Sequence, residues 1–251
     1  MDIKLPLKLF TLSIDDGSLE VDGTTYKGVP RLIEELLPVL YDPQSLDPTL
    51  LKKPLYYMFR DVARTTDRPL FESLGLRYDI TVISSQPLGR EFPKTLGHYH
   101  PEASNGLSYM EVYEVLHGKA HYLLQRRSRE GKVDRVVLIE ANPGDVVVIP
   151  PNYGHVTINP SAETLVMSNL VARGFKSIYD EYLEKRGALY YELVDGGLLF
   201  NERYESKVEL ERLSAPSGEF LLELKSDLYA SFIEETSRFR FLVDPFLWKP
   251  E

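Results

Sequence analysis

Four side chains of the kind that bind transition metals stand in two separate segments of the chain. His98 and His100 are two positions apart, and side chains two apart on an extended chain point to the same face. These two imidazoles can therefore hold one ion. Glu111 opens a run of strand-forming residues, and His155 follows a strand and a turn rich in proline and glycine. We predict that neighbouring strands bring Glu111 and His155 to the two histidines as further ligands.

The elements that must position these side chains are short strands, whose even spacing is typical of a sandwich or barrel. We predict a mainly β fold in which the barrel covers about residues 55–172. The predicted strands are 55–64, 78–85, 112–116, 119–125, 133–140, 146–149, 156–158 and 164–170, with a later hairpin at 189–194 and 198–201. The predicted flanking helices are 30–40, 176–185 and one capped by Ser217 with Phe220, Leu221, Leu224, Leu228 and Phe232 on its apolar face.

The spacing around both metal-binding segments resembles that of the cupin superfamily, whose members bind a metal with two histidines, a glutamate and a distant histidine inside a small β-barrel. The resemblance rests on the relative positions of Glu111, Gly118, Gly144, Pro150, His155 and Asn159. It implies a cupin, or jelly-roll-like, β-barrel. One position departs from the pattern, since Asn152 stands where the superfamily has a glycine.

The carboxylate ligand has two candidates on the same strand. The gap between the two histidines and Glu111 is longer than in most cupins, and this makes Glu114 an alternative ligand. We favour Glu111, because only Glu111 keeps the cupin spacing to Gly118. His117 and His121 flank the glycine turn outside the motif, and we predict that both are solvated hairpin residues.

Within the cupins, the archaeal-type glucose-6-phosphate isomerases resemble this chain over about residues 28–200. The shared stretches are 89–92 with Thr95, 97–100, 111–113, 123–125, 143–151 and 155–159. The resemblance implies a metal-dependent aldose-ketose isomerase that interconverts glucose 6-phosphate and fructose 6-phosphate in glycolysis and gluconeogenesis. The family has a sugar-contacting tyrosine near the end of strand 164–170, where this chain has Val171.

The same resemblance implies a set of site residues. The metal ligands are His98, His100, Glu111 and His155, which suit one divalent transition metal, Fe, Mn, Ni or Zn. The substrate phosphate is placed at Thr81, Thr95, Gly97 and Tyr113, with Tyr57 as a neighbour. Hydroxyl groups and an unshielded N–H are the donors that a phosphate dianion needs. Glu111 is the candidate catalytic base of an enediol route, and direct hydride migration is the alternative route.

The resemblance also suggests how the chain is divided and assembled. Residues 1–202 are expected to form a cupin isomerase domain with an N-terminal extension. Residues 203–251 are expected to form a C-terminal helical extension that is not an independent domain. We expect a homodimer, since the aromatic-rich N-terminal segment and the apolar face from Phe220 to Phe232 offer apolar surface for pairing.

Two other function classes fit the same residues. One is a cupin of another chemistry, such as a non-haem Fe dioxygenase, and the other is a non-catalytic cupin that binds a sugar phosphate. Phosphate donors beside the metal favour the isomerase over the dioxygenase. Ligands alone do not make an enzyme, so only an assay separates the isomerase from the binding module.

Composition excludes several further classes. The 251 residues contain no cysteine, which excludes disulfides and thiolate ligands. The net charge of −9 with dispersed basic residues disfavours nucleic acid as a partner, and no apolar run approaches the roughly 20 residues of a membrane span. No signal peptide is visible, and we expect a cytoplasmic protein that acts on a small sugar phosphate. The scarcity of asparagine and glutamine, six and three residues, is typical of a thermophile.

Overall fold

The structure is a computed structural model, and it describes residues 2–15, 17–205 and 207–249. The N-terminal strands are β1 Asp2–Pro6, β2 Thr11–Asp15, β3 Ser18–Val21, β4 Thr24–Lys27 and β5 Val29–Leu32. The central strands are β6 Pro54–Phe59, β7 Leu76–Ile83, β8 Glu102–Ser104, β9 Leu107–Ser108, β10 Glu111–His117, β11 Ala120–Arg127, β12 Val133–Ala141, β13 Val146–Ile149, β14 Tyr153–Ile158 and β15 Leu165–Ala172. The C-terminal strands are β16 Tyr190–Glu192, β17 Leu198–Phe200 and β18 Leu210–Leu213.

Helices are few and short in the described residues. The α-helices are α1 Arg68–Ser73, α2 Asp180–Glu184 and α3 Leu228–Glu234. The 3-10 helices are Ile33–Val39, Pro43–Ser45, Pro48–Leu50, Gly218–Phe220, Thr236–Leu242 and Pro245–Leu247. The helix predicted at 30–40 is therefore only partly present, since β5 occupies its start and Pro38 lies within the 3-10 helix that follows. In this described part of the chain, no helix is long and apolar enough to cross a membrane.

Two sheets packed face to face form the centre of the molecule. The six-stranded sheet has the order β13-β10-β15-β7-β6-β5, and the four-stranded sheet has the order β14-β11-β12-β18. Apolar side chains from the inner faces of both sheets meet in one buried core, for example Val115 and Met167 from the first sheet and Leu124 and Val137 from the second. The prediction of a mainly β, jelly-roll-like fold is confirmed, because two packed sheets that are antiparallel apart from the β12–β18 pair are consistent with it.

The outer face of the six-stranded sheet is also covered. Strands β1 to β4 form a separate sheet, and its residues Leu12 and Leu19 share a second buried core with Val112 and Leu170 of the central sheet. Side chains of β7 and β10 therefore alternate between two environments. One set faces this outer core, and the other set faces the space between the two central sheets, where the predicted site residues lie.

The C-terminal segment differs from the prediction. The single helix predicted from Ser217 through Phe232 is wrong, because the structure has a 3-10 turn, an extended stretch and then the short helix α3. The extended stretch forms a bridge between Leu221 and Val147, and the side chain of Asp227 caps α3 by accepting a hydrogen bond from Ala230 N at 2.9 Å. Phe220, Leu228 and Phe232 are buried in the same chain.

Strand β18, which we did not predict, also ties the C-terminal segment to the centre. It pairs in parallel with β12, placing Leu210 opposite Val136 and Leu213 opposite Ile139. We therefore propose that residues 203–251 fold together with the rest of the chain and do not form a separate domain.

A buried carboxyl group joins β10 to this C-terminal segment. Glu114 is 5% exposed and accepts a hydrogen bond from the backbone N of Leu228 at 2.8 Å. Burial raises the pKa of Glu114 from 4.5 to about 7, because the hydrogen bond from Leu228 only partly offsets the loss of hydration.

Glu114→Gln should change how stability depends on pH. A carboxyl whose pKa is raised by folding stabilises the fold below pH 4.5, and this contribution is lost as the pH rises through about 7. We therefore expect the variant to match wild type near pH 5 and to exceed it by about 2–3 kcal/mol near pH 8. Denaturant unfolding of both metal-stripped proteins at the two pH values measures this difference. An equal difference at both pH values would contradict it.

Candidate metal centre

Three segments bring the four predicted ligands together. Glu111 begins β10, and His155 lies in β14. The extended segment that carries His98 pairs directly with β14, since His98 N donates to His155 O at 3.2 Å and His155 N donates to His98 O at 3.0 Å. His100 follows on the same face of that segment. The ligand atoms of the four side chains lie within 4.8 Å of one another, so these residues could hold one metal ion.

The atoms that converge are acceptors. His98 Nε2 and His100 Nε2 are 3.2 Å apart, and Glu111 Oε2 lies 3.3 Å from Nε2 of both His100 and His155. His100 Nδ1 is 3.0 Å from the carbonyl oxygen of Tyr109, so Nδ1 carries the proton and Nε2 presents its lone pair to the group. Glu111 Oε2 is buried and has no hydrogen-bond partner among the described residues. A cation at the centre would satisfy these facing lone pairs, and the residues therefore fit a metal.

The protonation states agree with metal binding. Burial lowers the pKa of His98 well below its usual value, and the neighbouring His155 and His100 lower it further. Burial also lowers the pKa of His155, against the opposing effect of Glu111. Burial alone would raise the pKa of Glu111, but His100 and His155, which stabilise the carboxylate when they carry a proton, outweigh burial and hold this pKa well below its usual range. Neutral imidazoles and an ionised carboxylate are the forms that bind metals.

Residues around the four groups hold them in place. Asn169 Nδ2 donates a hydrogen bond of 2.6 Å to Glu111 Oε1, which leaves Oε2 facing the imidazoles. The ring of Phe175 lies 4.7 Å from that of His100 and stacks on Tyr109 at 4.8 Å. Such supporting contacts fix the orientation of metal ligands. Sequence analysis missed Asn169, although a polar residue inside the fully buried strand β15 was a usable signal.

The four groups line a pocket between the two central sheets. Its cavity volume is about 60 Å³, smaller than the roughly 300–1,000 Å³ that is typical of small-molecule sites. Thr81, Thr95, Gly97 and Tyr113 all contribute to its wall. Gly97 has φ of +86°, and a Cβ there would lie 2.6 Å from the ring of Tyr182, so only glycine fits. Tyr113 hydroxyl lies 3.2 Å from His155 Nε2.

Tyr57 is not among the residues that line this pocket, which argues against its predicted place beside the phosphate. Side chains of β6 alternate, so Tyr56 and Met58 face the pocket while Tyr57 faces the outer core. The ring of Tyr57 packs against Gly17 in the N-terminal sheet, and a Cβ at Gly17 would lie 2.9 Å from it. The two tyrosines are adjacent, and Tyr56 is the one that lines the pocket.

The other candidates that we weighed lie outside the centre. Glu114 faces the outer core and contacts Leu228, so the alternative ligand assignment is excluded by its direction. His117 is half-buried at the end of β10. His121 was predicted to be solvated, but its side chain is only 13% exposed and its Nδ1 lies 2.8 Å from Glu192 Oε1. That prediction failed because the hairpin β16–β17 covers this part of the central sheet.

Solved structures that resemble the chain include a cupin 2 conserved barrel domain protein from Rhodopseudomonas palustris and an oxalate oxidase. The first is 12% identical, has a TM-score of 0.32 and covers 48% of this chain and 63% of that chain. The second is 13% identical, has a TM-score of 0.35 and covers 62% of this chain and 57% of that chain. Superpositions of this extent support no conclusion about the site.

Sequence relatives are more informative. The glucose-6-phosphate isomerase of Thermococcus gammatolerans is 29% identical over 167 residues, which cover 66% of this chain and 78% of that protein. The isomerase of Thermococcus litoralis is 33% identical over 110 residues, which cover 44% of this chain and 53% of that protein. The family model described as glucose-6-phosphate isomerase (GPI) matches residues 31–209, a span that includes all four converging ligands. Because this match extends over most of the chain, the chain belongs to the glucose-6-phosphate isomerase family.

Proposed function

We propose that the chain is a metal-dependent aldose-ketose isomerase that interconverts glucose 6-phosphate and fructose 6-phosphate. The observation that carries this proposal is the pocket itself. It presents three imidazoles and a carboxylate with converging lone pairs, and hydroxyl and backbone donors for a phosphate lie in the same wall. Membership of the isomerase family supports the assignment.

His98, His100, Glu111 and His155 would hold the metal, which we propose to be one divalent ion of Fe, Mn, Ni or Zn. Four protein ligands leave positions open on an octahedral ion. A metal bound there would polarise the carbonyl and hydroxyl oxygens at carbons 1 and 2 of the sugar. The inner-facing lone pairs of the four residues support this assignment, since nothing else among the described residues satisfies Glu111 Oε2.

The phosphate of the sugar would occupy the end of the pocket formed by Thr81, Thr95, Gly97 and Tyr113. The hydroxyl of Thr81 is buried in the wall, and the backbone N–H of Gly97 is not shielded by a side chain. Thr95 is held in place by Thr157, whose backbone N donates to Thr95 Oγ1 at 3.0 Å. Donors fixed in this way bind a phosphate without first having to be ordered.

Glu111 would act at the reacting end of the sugar. Asn169 donates a hydrogen bond to Oε1 of this carboxylate and fixes its orientation, as a proton acceptor requires. In the enediol route, Glu111 takes the proton from carbon 2 of glucose 6-phosphate and returns it to carbon 1. The buried position of Glu111 would protect that proton from solvent.

A coupled isomerase assay tests the proposed function. The purified chain is stripped of metal, reconstituted with each of Fe, Mn, Ni and Zn, and assayed with glucose 6-phosphate and with mannose 6-phosphate. We expect turnover of glucose 6-phosphate that disappears on stripping and returns with at least one metal. Sugar phosphate binding without turnover would instead indicate a binding module, and substrate-dependent oxygen uptake would indicate a dioxygenase.

Tyr113→Phe should mainly raise KM for the phosphorylated sugar. If the Tyr113 hydroxyl binds phosphate in both the ground state and the transition state, its loss costs about 1–3 kcal/mol of binding, or roughly 5- to 150-fold in KM, with a smaller effect on kcat. Steady-state kinetics measure both constants. Tyr122→Phe is the matched control, because Tyr122 is a buried tyrosine that packs against Tyr113 but does not line the pocket. An unchanged KM in Tyr113→Phe would remove this hydroxyl from the phosphate site.

We also propose that the chain forms a homodimer. Phe220, Leu228 and Phe232 are buried within the chain, which argues against the predicted use of this apolar face for pairing. Strand β5 lies at an edge of the central sheet, and its Val29 is 57% exposed. Light scattering at micromolar concentration should give a dimer, and Val29→Lys should shift it towards monomer. Leu247→Lys, at a residue 48% exposed elsewhere on the surface, is the control. A monomeric wild-type protein would contradict the proposal.

A further inference from the structure

Two arginines that sequence analysis did not single out share one buried carboxylate at the pocket. Asp79 is fully buried, and its Oδ2 accepts hydrogen bonds from Arg60 Nη1 at 2.6 Å and from Arg77 Nε at 2.8 Å. The other oxygen, Oδ1, accepts a hydrogen bond from the backbone N of Asp61 at 2.8 Å. Two guanidinium groups around one carboxylate leave this cluster with a net positive charge.

Most of the guanidinium donors are free to bind a ligand. Both arginines line the pocket, and their side chains are 46% exposed for Arg60 and 24% exposed for Arg77. A guanidinium carries five N–H donors. Within the described ranges, Arg77 Nη1 and Nη2 form no hydrogen bond, and Arg60 Nη2 contacts only the sulfur of Met58 at 3.3 Å. One arginine would be enough to neutralise Asp79, so the second positive charge is available to the pocket.

The register of the central sheet places these donors at the same end of the pocket as Glu111. On β7, Arg77 and Thr81 face the pocket four residues apart, a separation of about 13 Å. On the neighbouring strand β15, Val171 is paired with Arg77 on one side and with Glu111 on the other. Arg77 and Glu111 therefore lie on either side of Val171, and their backbones are about 10 Å apart. Val171 has no polar group, so polar contacts to a ligand in this part of the wall must come from its neighbours.

Arg60 also lies within electrostatic reach of the centre. Burial alone would lower the pKa of Arg60, but Asp79 outweighs it, and Glu111 and Tyr113 add to the upward shift. Thr81, one of the phosphate donors proposed above, lies at the other end of β7 from Arg77. A sugar whose phosphate is bound near Thr81 would direct carbons 1 and 2 towards Glu111 and the two arginines.

Negative charge develops at that end of the sugar by either route of hydrogen transfer. In the enediol route the proton on carbon 2 goes to the base, its bonding electrons form the C1=C2 double bond, and the carbonyl electrons move onto oxygen 1. In the hydride route oxygen 2 loses its proton to a base, the hydrogen moves with its electron pair from carbon 2 to carbon 1, and oxygen 1 again becomes an alkoxide. Oxygen 1 gains negative charge in both cases.

We propose that Arg60 and Arg77, held side by side by Asp79, bind the oxygen at carbon 1 of the sugar and stabilise the negative charge that develops on it. This inference rests on the proposed isomerase function. Preorganised charged donors aimed at a developing oxyanion are among the most effective contributions that a protein makes to catalysis. Planar guanidinium groups also match the planar C1–C2 end of an enediolate.

Two ligands that differ only at this end test the inference. One is 5-phospho-arabinonate, whose planar carboxylate has the shape and charge of an enediolate, and the other is 5-phospho-arabinitol, which has a neutral alcohol at that position. Their dissociation constants are measured by calorimetry for wild type, Arg60→Gln, Arg60→Lys and Arg77→Gln, each with bound metal and after metal removal. Thr81→Val is the matched control at the phosphate end.

We expect wild type to prefer the carboxylate ligand and each Gln variant to lose roughly tenfold or more of that preference, also without metal. Arg60→Lys should retain part of the preference, because it keeps the charge and loses the planar fork. Thr81→Val should weaken the binding of both ligands equally.

An unchanged preference for the carboxylate ligand in both Gln variants, or an equal weakening of the binding of the two ligands in them, would overturn the inference. If wild type shows the preference but no isomerase activity, the proposed function fails and the ligand preference stands alone. Thermal unfolding confirms that each variant is folded, and one arginine still pairs with Asp79 in each of them.

Discussion

His155→Ala should lose bound metal to the same extent as His98→Ala, and both should lose isomerase activity by roughly a thousandfold or more. A metal that polarises the reacting oxygens contributes several kcal/mol to the transition state, and each 1.36 kcal/mol is about a factor of ten in rate. His155 is the ligand furthest away in sequence, yet the backbone hydrogen bonds between His98 and His155 place the two side by side. Elemental analysis of the purified variants measures the metal content.

Both variants should remain folded, because the ladder between His98 and His155 uses backbone atoms that alanine retains. Truncation also removes a buried imidazole whose pKa is lowered by burial, so no unpaired charge is left in its place. His117→Ala is the matched control, since this histidine is half-buried at the end of β10 and lies outside the converging group. Wild-type metal occupancy in His155→Ala would remove this residue from the centre.

The converging histidines and Glu111 could be found from the sequence because strand geometry agrees with the ligand set that the cupin resemblance implies, and the spacing to Gly118 decided for Glu111 over Glu114. Side chains two apart on one strand share a face, and a bridge between antiparallel segments brings distant residues into register. His98 and His100 illustrate the first rule, and the pairing of His98 with His155 illustrates the second. Each of these two rules needs only the local sequence pattern and the assumption that the strands are neighbours.

Other parts of the site depend on information that the local pattern does not contain. Tyr56 and Tyr57 are both strand-forming aromatic residues, and a shift of one residue exchanges the two faces of a strand. Arg60 and Arg77 look like ordinary charged residues until β6 and β7 bring them to Asp79. Their role depends on pairing between strands, which periodicity along one strand does not reveal.

The prediction of a single helix in the C-terminal segment failed for a different reason. The apolar residues from Phe220 to Phe232 recur at helical spacing, but periodicity does not show that the chain is extended between them. There the backbone forms a bridge to Val147, and Asp227 begins a new helix by capping it. Tertiary contacts with the central sheet thus decided the local structure, and only the burial of the apolar residues was predictable.

Glu111→Gln should lower kcat by at least the roughly hundred- to ten-thousandfold that general acid-base catalysis contributes, and part of this loss should persist when excess metal restores occupancy. Glutamine keeps the size of the side chain and an oxygen that can accept from Asn169, but it is a poor proton acceptor. Glu114→Gln is the matched control, because it makes the same substitution on the same strand facing the outer core. If full metal occupancy restored wild-type kcat to Glu111→Gln, Glu111 would be a ligand alone.

The reaction run in deuterated water should leave solvent deuterium on carbon 1 or carbon 2 of the product in at least part of the turnover. We expect this because the enediol route passes the proton through Glu111, which can exchange it with solvent before returning it.

Two features of the site have opposite effects on the ability of Glu111 to accept a proton. Metal coordination lowers the basicity of a carboxylate, since the field of the cation favours the charged form. The hydrogen bond from Asn169 to Oε1, however, leaves the two carboxylate oxygens in different environments, so that Oε2 can face the metal while Oε1 remains a fixed acceptor. A buried base exchanges its proton slowly, and the measurement is therefore made at low temperature, where turnover is slow, with product analysed by NMR and mass spectrometry. Complete retention of the substrate hydrogen under these conditions would indicate hydride migration, and Arg60 and Arg77 would then stabilise an alkoxide at oxygen 1 in place of an enediolate.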